Sequence, residues 1–280
     1  MSLELYNNVS ESCSRLITCE YSTSFSLGIR SLHRSLRQPV YSVYGFVRVA
    51  DEIVDTFHDY DKEELFERFR EETRRAVREK ISSNPVLQAY QLVVHRYNID
   101  DELTEAFLRS MEMDLEKREY NSSEYSEYIY GSAEVVGLMC LKIFCDGDNV
   151  RYGELKPYAR RLGAAFQKIN FLRDIGSDYY DRGRVYFPGI DFEVFTEEQK
   201  RSIEADIAED FREALKGIEM LDRRSRFGVW LAYLYYIALF RKIRRAPASE
   251  VLTRRFRVSD IGKLLLYVSA RVRYVAASRR

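Results

Sequence analysis

The sequence has few residues of the types that interrupt or cross-link a chain: 280 residues include only 13 glycines, 5 prolines and 4 cysteines. Glycine and proline are too rare for the many turns of an all-β protein, and the apolar residues recur at the three-and-four spacing of helices. We therefore expect an all-α fold. With 46% hydrophobic residues, the length suits one domain spanning 1–280 around one large core.

Patterns for zinc sites, disulfides and nucleotide binding are also missing. The four cysteines show neither a zinc spacing nor a disulfide framework, and no Gly-rich loop is present that would bind a dinucleotide or cradle phosphate. No basic segment leads into an apolar one at the N-terminus, and the longest apolar run, 229–240, has 12 residues where a membrane span needs about 20. These absences predict a reduced, cytoplasmic protein without zinc or a nicotinamide cofactor.

Charge of one sign is not in excess, because Lys plus Arg and Asp plus Glu both number 44. Without a global positive charge, no nucleic-acid partner is expected. The last part of the chain, 241–280, nevertheless carries 12 basic and 2 acidic residues, and it contains the apolar segment 264–268. Solvated helix ends would have this composition, and so would a surface for phosphate or an anionic membrane. Because of the apolar segment, we expect peripheral membrane association.

Helical periodicity, caps and breaks divide the chain into helices from residue 39 onwards. Pro39 is expected as the first residue of a buried helix that continues through 40–57. Asp100 and a capping box of Thr196 and Gln199 are expected to start two later helices. The remaining helices are predicted at 61–81, 85–97, 101–118, 124–144, 151–181, 197–223, 226–245 and 258–275.

Charged residues form a stripe on the otherwise apolar helix at 40–57. Asp51 and Asp55 are four residues apart and lie on one helix face, together with Tyr44 and Arg48. Acidic pairs at this spacing also occur in this chain on helices that look solvated, so spacing alone does not indicate a site. In an apolar helix, however, like charges repel each other and an unpaired buried carboxylate is costly. The stripe therefore predicts a bound cation.

A second polar stripe lies on the helix at 151–181, where Gln167, Asn170, Asp174 and Asp178 share one face. Together the two stripes offer the oxygen ligands that magnesium prefers, and magnesium commonly adds waters and substrate phosphates to a few carboxylates. The acidic loop typical of calcium sites is absent. A buried polar network between two helices would show the same pattern as a magnesium site.

Strings distributed along the chain resemble the squalene/phytoene synthase family, and they occur in the family's order. Two of the strings contain the aspartates, and the one with the second stripe is the more specific. Both are most similar in sequence to bacterial phytoene synthases. The strings are YSTSF at 21–25, YGFVR at 44–48 followed by DEIVD at 51–55, YIYGSAEVVG at 128–137, QKINFLRDIGSD at 167–178 running on to RGRVYFP at 182–188, and RRFRV at 254–258.

The resemblance implies an isoprenoid-synthase helical bundle with a central cavity, in which two identical prenyl diphosphates are condensed head to head with Mg²⁺ or, alternatively, Mn²⁺. Carried over position by position, the metal ligands are Asp51, Asp55, Asn170, Asp174 and Asp178, and the catalytic residues are the four aspartates and Arg48. The substrate-binding residues are Ser22, Ser24, Phe25, Tyr44, Arg48, Tyr128, Gln167, Asn170, Arg173, Tyr236 and Arg255.

The resemblance to this family leaves more than one reaction product open. The wording of the aspartate strings predicts phytoene, formed from geranylgeranyl diphosphate through a cyclopropyl (prephytoene) diphosphate. Squalene or dehydrosqualene from farnesyl diphosphate is the alternative, and Glu52, Glu134 and Ser177 depart from the pattern of many relatives. Phe25 and 135–141 are candidates for the cavity floor that would select the chain length.

Two readings outside this family are weaker. A class I terpene cyclase shares an aspartate-rich first motif, but its second motif has a pattern that 170–178 does not match. A helical assembly factor of the same fold that has lost its chemistry would lack aspartates, and all four are present. Both readings predict a helical protein, so the choice rests on the aspartate strings.

Overall fold

The computed structural model of the protein describes residues 2–117, 119–180, 183–190 and 195–277. Within these ranges every regular element is helical, and Glu119 and Val185 form an isolated bridge, which confirms the expected all-α class. The helices are α1 (Leu3–Tyr21), α2 (Thr23–Arg30), α3 (Arg34–Asp55), α4 (Lys62–Glu79), α5 (Pro85–Tyr97), α6 (Asp101–Glu116), α7 (Ser122–Ile129), a π-helical turn (Tyr130–Glu134), α8 (Val135–Cys145), α9 (Asn149–Tyr180), α10 (Glu197–Met220), α11 (Arg223–Arg245), α12 (Ala248–Thr253) and α13 (Asp260–Ala277).

The sequence predicts no helix before Pro39, yet α1 and α2 occupy this region. The buried residues of α1 are Ser10, Ser14 and Thr18, each 0% exposed. A buried face of small polar residues leaves no apolar periodicity in the sequence. It lets α1 approach α3 closely, because a Cβ on Gly45 would lie 2.8 Å from the Cβ of Ser14.

Pro39 does not begin α3, contrary to the prediction. The helix begins at Arg34, and the ring nitrogen Nδ1 of His33 caps it by accepting from the backbone N–H of Ser35 at 3.4 Å. Proline inside a helix removes the hydrogen bond that its own N–H would donate one turn back and crowds the carbonyl there, although its fixed φ suits a helix. The apolar residues buried on both sides of Pro39 offset that loss.

The later helices are confirmed, with ends that differ by a few residues from those predicted. The capping box of Thr196 and Gln199 forms as expected. Asp100 is at the N-cap of α6, but its side chain makes no capping hydrogen bond. The predicted helix at 124–144 is divided into α7, the π-helical turn and α8, and α12 was not predicted. Residues 118 and 181, at which two predicted helices end, lie outside the described residues. Residue 182, the first of the string RGRVYFP, also lies outside them.

Two large apolar clusters form the core, and a cavity is lined by residues of both. In the first cluster the rings of Phe46 and Tyr90 stack at 3.9 Å between centroids. In the second, Phe171 stacks on Tyr186 at 4.0 Å. The helix α9 packs against α8 on one side and α10 on another, so its residues reach the cavity along much of its length.

One stretch of the described residues, Ser122–Cys145, is long and apolar enough to cross a membrane by length and composition, with a mean hydropathy of 1.4. Of the 18-residue apolar window within this stretch, 56% is buried inside the protein. Val135, Leu138 and Ile143 are each 0% exposed and belong to the first core cluster. The stretch is therefore a core element of this fold.

Candidate active site

The cavity has a volume of about 330 Å³, and its lining changes from polar to apolar along α9. Gln167 and Asn170 line it near the C-terminal part of this helix, whereas Leu155 lines it fifteen residues before Asn170. At about 1.5 Å per residue the lined part of α9 is about 22 Å long. The expected central cavity is confirmed, and it has two distinct ends.

The polar end contains the first aspartate stripe. Tyr44, Arg48 and Asp51 of α3 all line the cavity, as their spacing predicts. The guanidinium of Arg48 donates to the carboxylate of Asp51 at 2.5 Å and also pairs with Glu52. It lies over the ring of Tyr21, with 4.4 Å to the centroid. Arg48 is thus fixed beside Asp51 in the lining of the cavity.

Asp55, the last residue of α3, is bonded to the buried Arg184. The Nη1 atom of Arg184 donates to Oδ1 of Asp55 at 2.8 Å, and the backbone N–H of Arg184 donates to the carbonyl of Asp178 at 2.8 Å. Burial lowers the pKa of Arg184, but Asp114, Tyr186 and Asp55 outweigh it and raise that pKa. Arg184 therefore connects the end of the first stripe to the end of the second.

The second stripe carries its own arginines. Arg173 donates to both carboxylate oxygens of Asp174, at 2.9 Å and 2.5 Å, and Nε of Arg255 lies 2.8 Å from Oδ1 of the same carboxylate. Asn170, one turn before Asp174, accepts from the hydroxyl of Tyr236 at 3.3 Å. Two guanidinium groups are therefore held together by the one carboxylate of Asp174.

The donor chemistry of these stripes fits magnesium, although no preformed cluster is present. Among the described residues, no group of three or more His, Cys, Asp and Glu side chains is close enough to hold a metal ion. Each stripe offers carboxylate oxygens instead, and Asp51 and the amide of Asn170 line the cavity. Magnesium needs only one or two protein carboxylates when water and phosphate complete its shell. The stripes satisfy that requirement together with a diphosphate.

Aromatic rings surround the polar end of the cavity. Phe166 stacks on Tyr236 with 3.8 Å between centroids, and Phe25 lies 5.5 Å from Tyr44 and 6.2 Å from Tyr236. Burial raises the pKa of Tyr44 to about 12, so its hydroxyl stays neutral. Ring faces of this kind stabilise a nearby cation by about 0.5 to 2 kcal/mol each. The wall is suited to a positively charged intermediate.

Several predicted substrate-binding residues are outside the cavity lining. Ser22 caps α2 by accepting from the backbone N–H of Phe25 at 3.2 Å, and its side chain is hydrogen-bonded to Tyr44. Ser24 is half-buried on α2 and does not line the cavity. Arg173 and Arg255 reach the site through Asp174. The predicted residues that do line the cavity are Phe25, Tyr44, Arg48, Asp51, Tyr128, Gln167, Asn170 and Tyr236.

Sequence analysis missed Asp114, a buried carboxyl group of α6. The hydroxyl of Tyr128, a residue that lines the cavity, donates to Oδ2 of Asp114 at 2.6 Å. The hydroxyls of Tyr120 and Tyr186 donate to Oδ1 at 3.2 Å and 3.1 Å. One feature of the sequence could have identified it: Asp114 is an acidic residue on the apolar face of an amphipathic helix. It follows the buried Ser110 by one turn and the buried Phe107 by two.

A family model described as squalene/phytoene synthase matches residues 19–261. The chain belongs to the squalene/phytoene synthase family. Phytoene synthase of Arthrospira platensis is 27% identical over 259 residues, which cover 82% of each chain. Phytoene synthase 1 of Solanum lycopersicum is 29% identical, and the match covers 94% of this chain and 66% of that protein. 4,4'-diapophytoene synthase of Staphylococcus haemolyticus is 23% identical, with 91% and 94% covered.

Solved structures agree with the family in fold. A dehydrosqualene synthase in complex with a ligand superimposes with a TM-score of 0.80 at 21% identity, covering 96% of this chain and 98% of the other. Squalene synthase HpnC from Alicyclobacillus acidocaldarius gives a TM-score of 0.75 at 24% identity, covering 88% and 96%. The fold is that of the isoprenoid synthases, and the family consists of prenyltransferase-type enzymes that act on prenyl diphosphates in isoprenoid and carotenoid biosynthesis.

Proposed function

We propose that this protein is a phytoene synthase, which condenses two molecules of geranylgeranyl diphosphate head to head in a magnesium-dependent reaction. The observation that carries the proposal is the cavity itself: Asp51 of the first stripe and Gln167 and Asn170 of the second line its polar end. The part of α9 that lines the cavity is about 22 Å long, and beyond the polar end its lining is apolar. Such a site suits a substrate with a charged head and a long hydrocarbon tail. Several similar curated proteins are named phytoene synthase.

The residues at the polar end bind and orient the diphosphates. Asp51 and Asp55 on α3, with Asn170, Asp174 and Asp178 on α9, are the proposed ligands of magnesium, and Mn²⁺ has similar ligand preferences. Magnesium, when bound, neutralises the charge on the departing diphosphate. The guanidinium groups of Arg48, Arg173 and Arg255 supply hydrogen bonds to phosphate oxygens.

The cavity wall protects the cations that form when diphosphate leaves. In the proposed reaction the first allylic cation is attacked by the double bond of the second substrate, which gives a cyclopropyl diphosphate and a proton. A second departure of diphosphate allows rearrangement, and loss of another proton forms the central double bond of phytoene. The stacked Phe166 and Tyr236, with Phe25 and Tyr44, face these cations, and the apolar lining excludes the water that would quench them.

The apolar end of the cavity supports a long substrate. Leu141, Leu155 and Leu221 form a cluster there, with Phe144 and Val229 packed against it, and all five also line the cavity. We assign these residues to the floor; Leu141 is the last residue of the predicted segment 135–141, and Val136, Gly137 and Cys140 of that segment also line the cavity. The other predicted floor residue, Phe25, belongs to the polar end.

Chain length is selected by how much hydrocarbon the channel buries above this floor. At about 0.8 kcal/mol per methylene, the five extra carbons of geranylgeranyl over farnesyl diphosphate favour the longer substrate by about 4 kcal/mol when all are buried. A chain that does not reach the floor leaves part of this apolar surface without contact. The depth along α9 therefore favours the C20 substrate.

Identification of the hydrocarbon tests the proposal. Purified protein with magnesium receives C15 or C20 prenyl diphosphate, without nicotinamide, and the product is analysed by mass. We expect C40 phytoene from the C20 substrate. A predominantly C30 product, which the structural similarity to dehydrosqualene synthase makes the second candidate, would contradict the chain-length assignment. A strict requirement for NADPH would contradict phytoene as the product.

We further propose that the protein is cytoplasmic and binds membranes peripherally through α13. One face of this helix packs on α11, where Ala270 is 1% exposed and clusters with Phe227 and Tyr235. The opposite face carries apolar residues that are 52–74% exposed, namely Ile261, Leu264, Leu265, Val268 and Val272. The exposed Arg271 and Arg273 add positive charge that suits anionic lipid.

The helix α13 is close to the polar end of the cavity. Lys263 of α13 donates to the hydroxyl of Thr23 in α2 at 2.6 Å, two residues before the cavity-lining Phe25. A membrane bound to α13 would therefore be near the entrance that long hydrocarbon substrates use. Long hydrocarbon substrates and products partition into lipid, so in this proposal the exposed face of α13 binds the membrane from which they come and to which they return.

A further inference from the structure

Asp114 lies at the centre of a hydrogen-bond network that the proposed chemistry has not used. Its side chain is 4% exposed and receives three tyrosine hydroxyls, of which that of Tyr128 is closest at 2.6 Å. Because Tyr128 lines the cavity, this bond fixes a ring of the cavity wall. The ring centroid of Tyr128 is 5.7 Å from that of Phe171, which belongs to the second core cluster.

The same aspartate also holds Arg184. The Nη2 atom of Arg184 donates to the backbone carbonyl of Asp114 at 2.9 Å, and its Nη1 atom is 3.8 Å from Oδ1 of the Asp114 carboxylate. That Nη1 atom also donates to Asp55 at 2.8 Å. One guanidinium is thus shared between a proposed magnesium ligand and a carboxylate that is outside the cavity.

We propose that Asp114 is a positioning residue of the reaction, which orients Tyr128 at the cavity wall and draws the shared guanidinium of Arg184 partly away from Asp55. The inference rests on the proposed prenyl diphosphate chemistry and names a residue that no aspartate string contains. A partner that orients a metal ligand from behind commonly affects metal affinity or activity by about 10- to 100-fold when it is lost. We expect Asp114 to act at that level.

Electrostatics gives the direction of the effect on the metal. When it is ionised, the carboxylate of Asp114 attracts Arg184 and so weakens the hold of that guanidinium on Asp55. If Asp114 loses its charge, Arg184 is drawn more strongly to Asp55 and competes better with a divalent cation there. Loss of the charge also loosens the Tyr128 hydroxyl, because an amide accepts a weaker hydrogen bond than a carboxylate.

The first measurement is steady-state kinetics with C20 prenyl diphosphate for Asp114→Asn, Tyr128→Phe and the matched control Tyr90→Phe. Tyr90 is a buried tyrosine of α5 that does not line the cavity. Its hydroxyl is hydrogen-bonded at 2.7 Å to Thr104 of α6, the helix that also carries Asp114. We expect kcat to fall about 10- to 100-fold in the first two variants, with KM changed less than about threefold, and no loss in the control.

Pairing the two substitutions separates positioning from general damage. If Asp114 acts through Tyr128, the double variant is no slower than Asp114→Asn, because the shared contact is already lost. Multiplied effects in the double variant overturn that part of the proposal. If circular dichroism shows that Asp114→Asn is unfolded, the kcat of Tyr128→Phe is compared with that of Tyr90→Phe, because each substitution removes one buried hydroxyl. An unchanged kcat in Tyr128→Phe overturns the proposal.

The second measurement needs no turnover. Thermal unfolding of wild type and Asp114→Asn is followed with inorganic pyrophosphate while magnesium is titrated. We expect the magnesium concentration for half of the stabilising shift to rise about tenfold in the variant and to stay constant in Tyr90→Phe. An unchanged midpoint in a folded Asp114→Asn variant contradicts the role of Arg184. If wild type itself converts no prenyl diphosphate, the proposed function fails, whereas an active wild type with an equally active Asp114→Asn refutes only this inference.

Discussion

The two ends of the cavity are built from different residues, although α9 runs along both. At the polar end, carboxylates of both stripes are held by arginines, as in the pairs of Arg48 with Asp51 and Arg173 with Asp174. At the apolar end, Leu155 and Leu221 pack in a small cluster that closes the channel. The difference predicts that the proposed diphosphate chemistry and the proposed chain-length selection are separable, so substitutions at one end should leave the property of the other end intact.

Removal of divalent metal should have the largest effect, and it acts on the polar end only. With excess chelator, turnover of prenyl diphosphate is expected to fall to background and to return when magnesium is restored. The ratio of products made after restoration should equal that of untreated protein, because the floor is unaffected. Full turnover in excess chelator would remove the proposed role of the aspartates.

Neutralising one aspartate of either stripe should be the next largest effect. Asp51→Asn and Asp174→Asn are each expected to lower kcat by at least about 100-fold, a size typical of losing a group that stabilises developing charge. Because the Arg48–Asp51 pair is partly exposed, the free energy of unfolding of Asp51→Asn should change by no more than about 1 kcal/mol.

A matched control for these variants is Asp59→Asn, which removes an exposed acid that is outside the cavity lining. Its activity and stability should equal those of wild type. The decisive measurements are turnover with C20 prenyl diphosphate and circular dichroism without ligand. If Asp51→Asn or Asp174→Asn is unfolded at room temperature, the aspartate is structural, and the catalytic interpretation fails.

Filling the channel should change the product rather than the chemistry. Cys140 lines the cavity one turn before Phe144, so Cys140→Phe shortens the space above the floor. We expect the ratio of C40 to C30 product, from a mixture of C20 and C15 substrates, to fall about tenfold or more. Overpacking should cost about 1 to 3 kcal/mol of stability.

Cys19→Phe is the control for the filled channel, because Cys19 is half-buried in α1 and does not line the cavity. This variant should keep the wild-type product ratio. A Cys140→Phe protein that is folded and active with an unchanged ratio would show that chain length is selected elsewhere. A protein that loses turnover of both substrates equally would show that the two ends of the cavity are not separable.

The polar end could be anticipated from the sequence because its residues are local. Residues four apart on a helix share a face wherever the helix is placed, so Tyr44, Arg48 and Asp51 were assigned to one stripe before their surroundings were known. The all-α class followed from periodicity in the same way. The roles of these side chains as metal ligands and diphosphate contacts remain predictions.

The rest depends on tertiary contacts that spacing does not contain. Asp114 is recognised only when the hydroxyls of Tyr128 and Tyr186, from distant parts of the chain, converge on it. The proposed floor combines residues of α8, α9 and α11 with Leu221, which follows α10, so the segment 135–141 supplies only a part of it. The polar buried face of α1 carries no apolar pattern, which left that helix unpredicted.

Membrane binding should respond to α13 and to neither end of the cavity. Leu265→Glu with Val268→Glu places charge on the exposed apolar face and should lower the fraction bound to anionic liposomes about tenfold in flotation. Binding of wild type should weaken as salt rises, since part of it is electrostatic. The control Leu16→Glu alters a 61% exposed leucine of α1 and should bind like wild type. Absence of wild-type binding at low salt contradicts the proposal.

The smallest effect concerns the pH dependence of stability at the polar end. The pKa of Asp114 is raised from 3.8 to about 7, chiefly by burial and less by Asp55 and Asp51, while the attraction of Arg184 and the hydrogen bond from Tyr128 oppose the rise. Between these two values the folded protein holds a proton that the unfolded chain has lost, so this group makes the free energy of unfolding fall as pH rises. Above about pH 7 both states are ionised and the contribution becomes constant. Denaturant titrations should therefore show wild type losing stability relative to Asp114→Asn between pH 4 and 7, and parallel curves would show that the buried carboxyl stays ionised throughout.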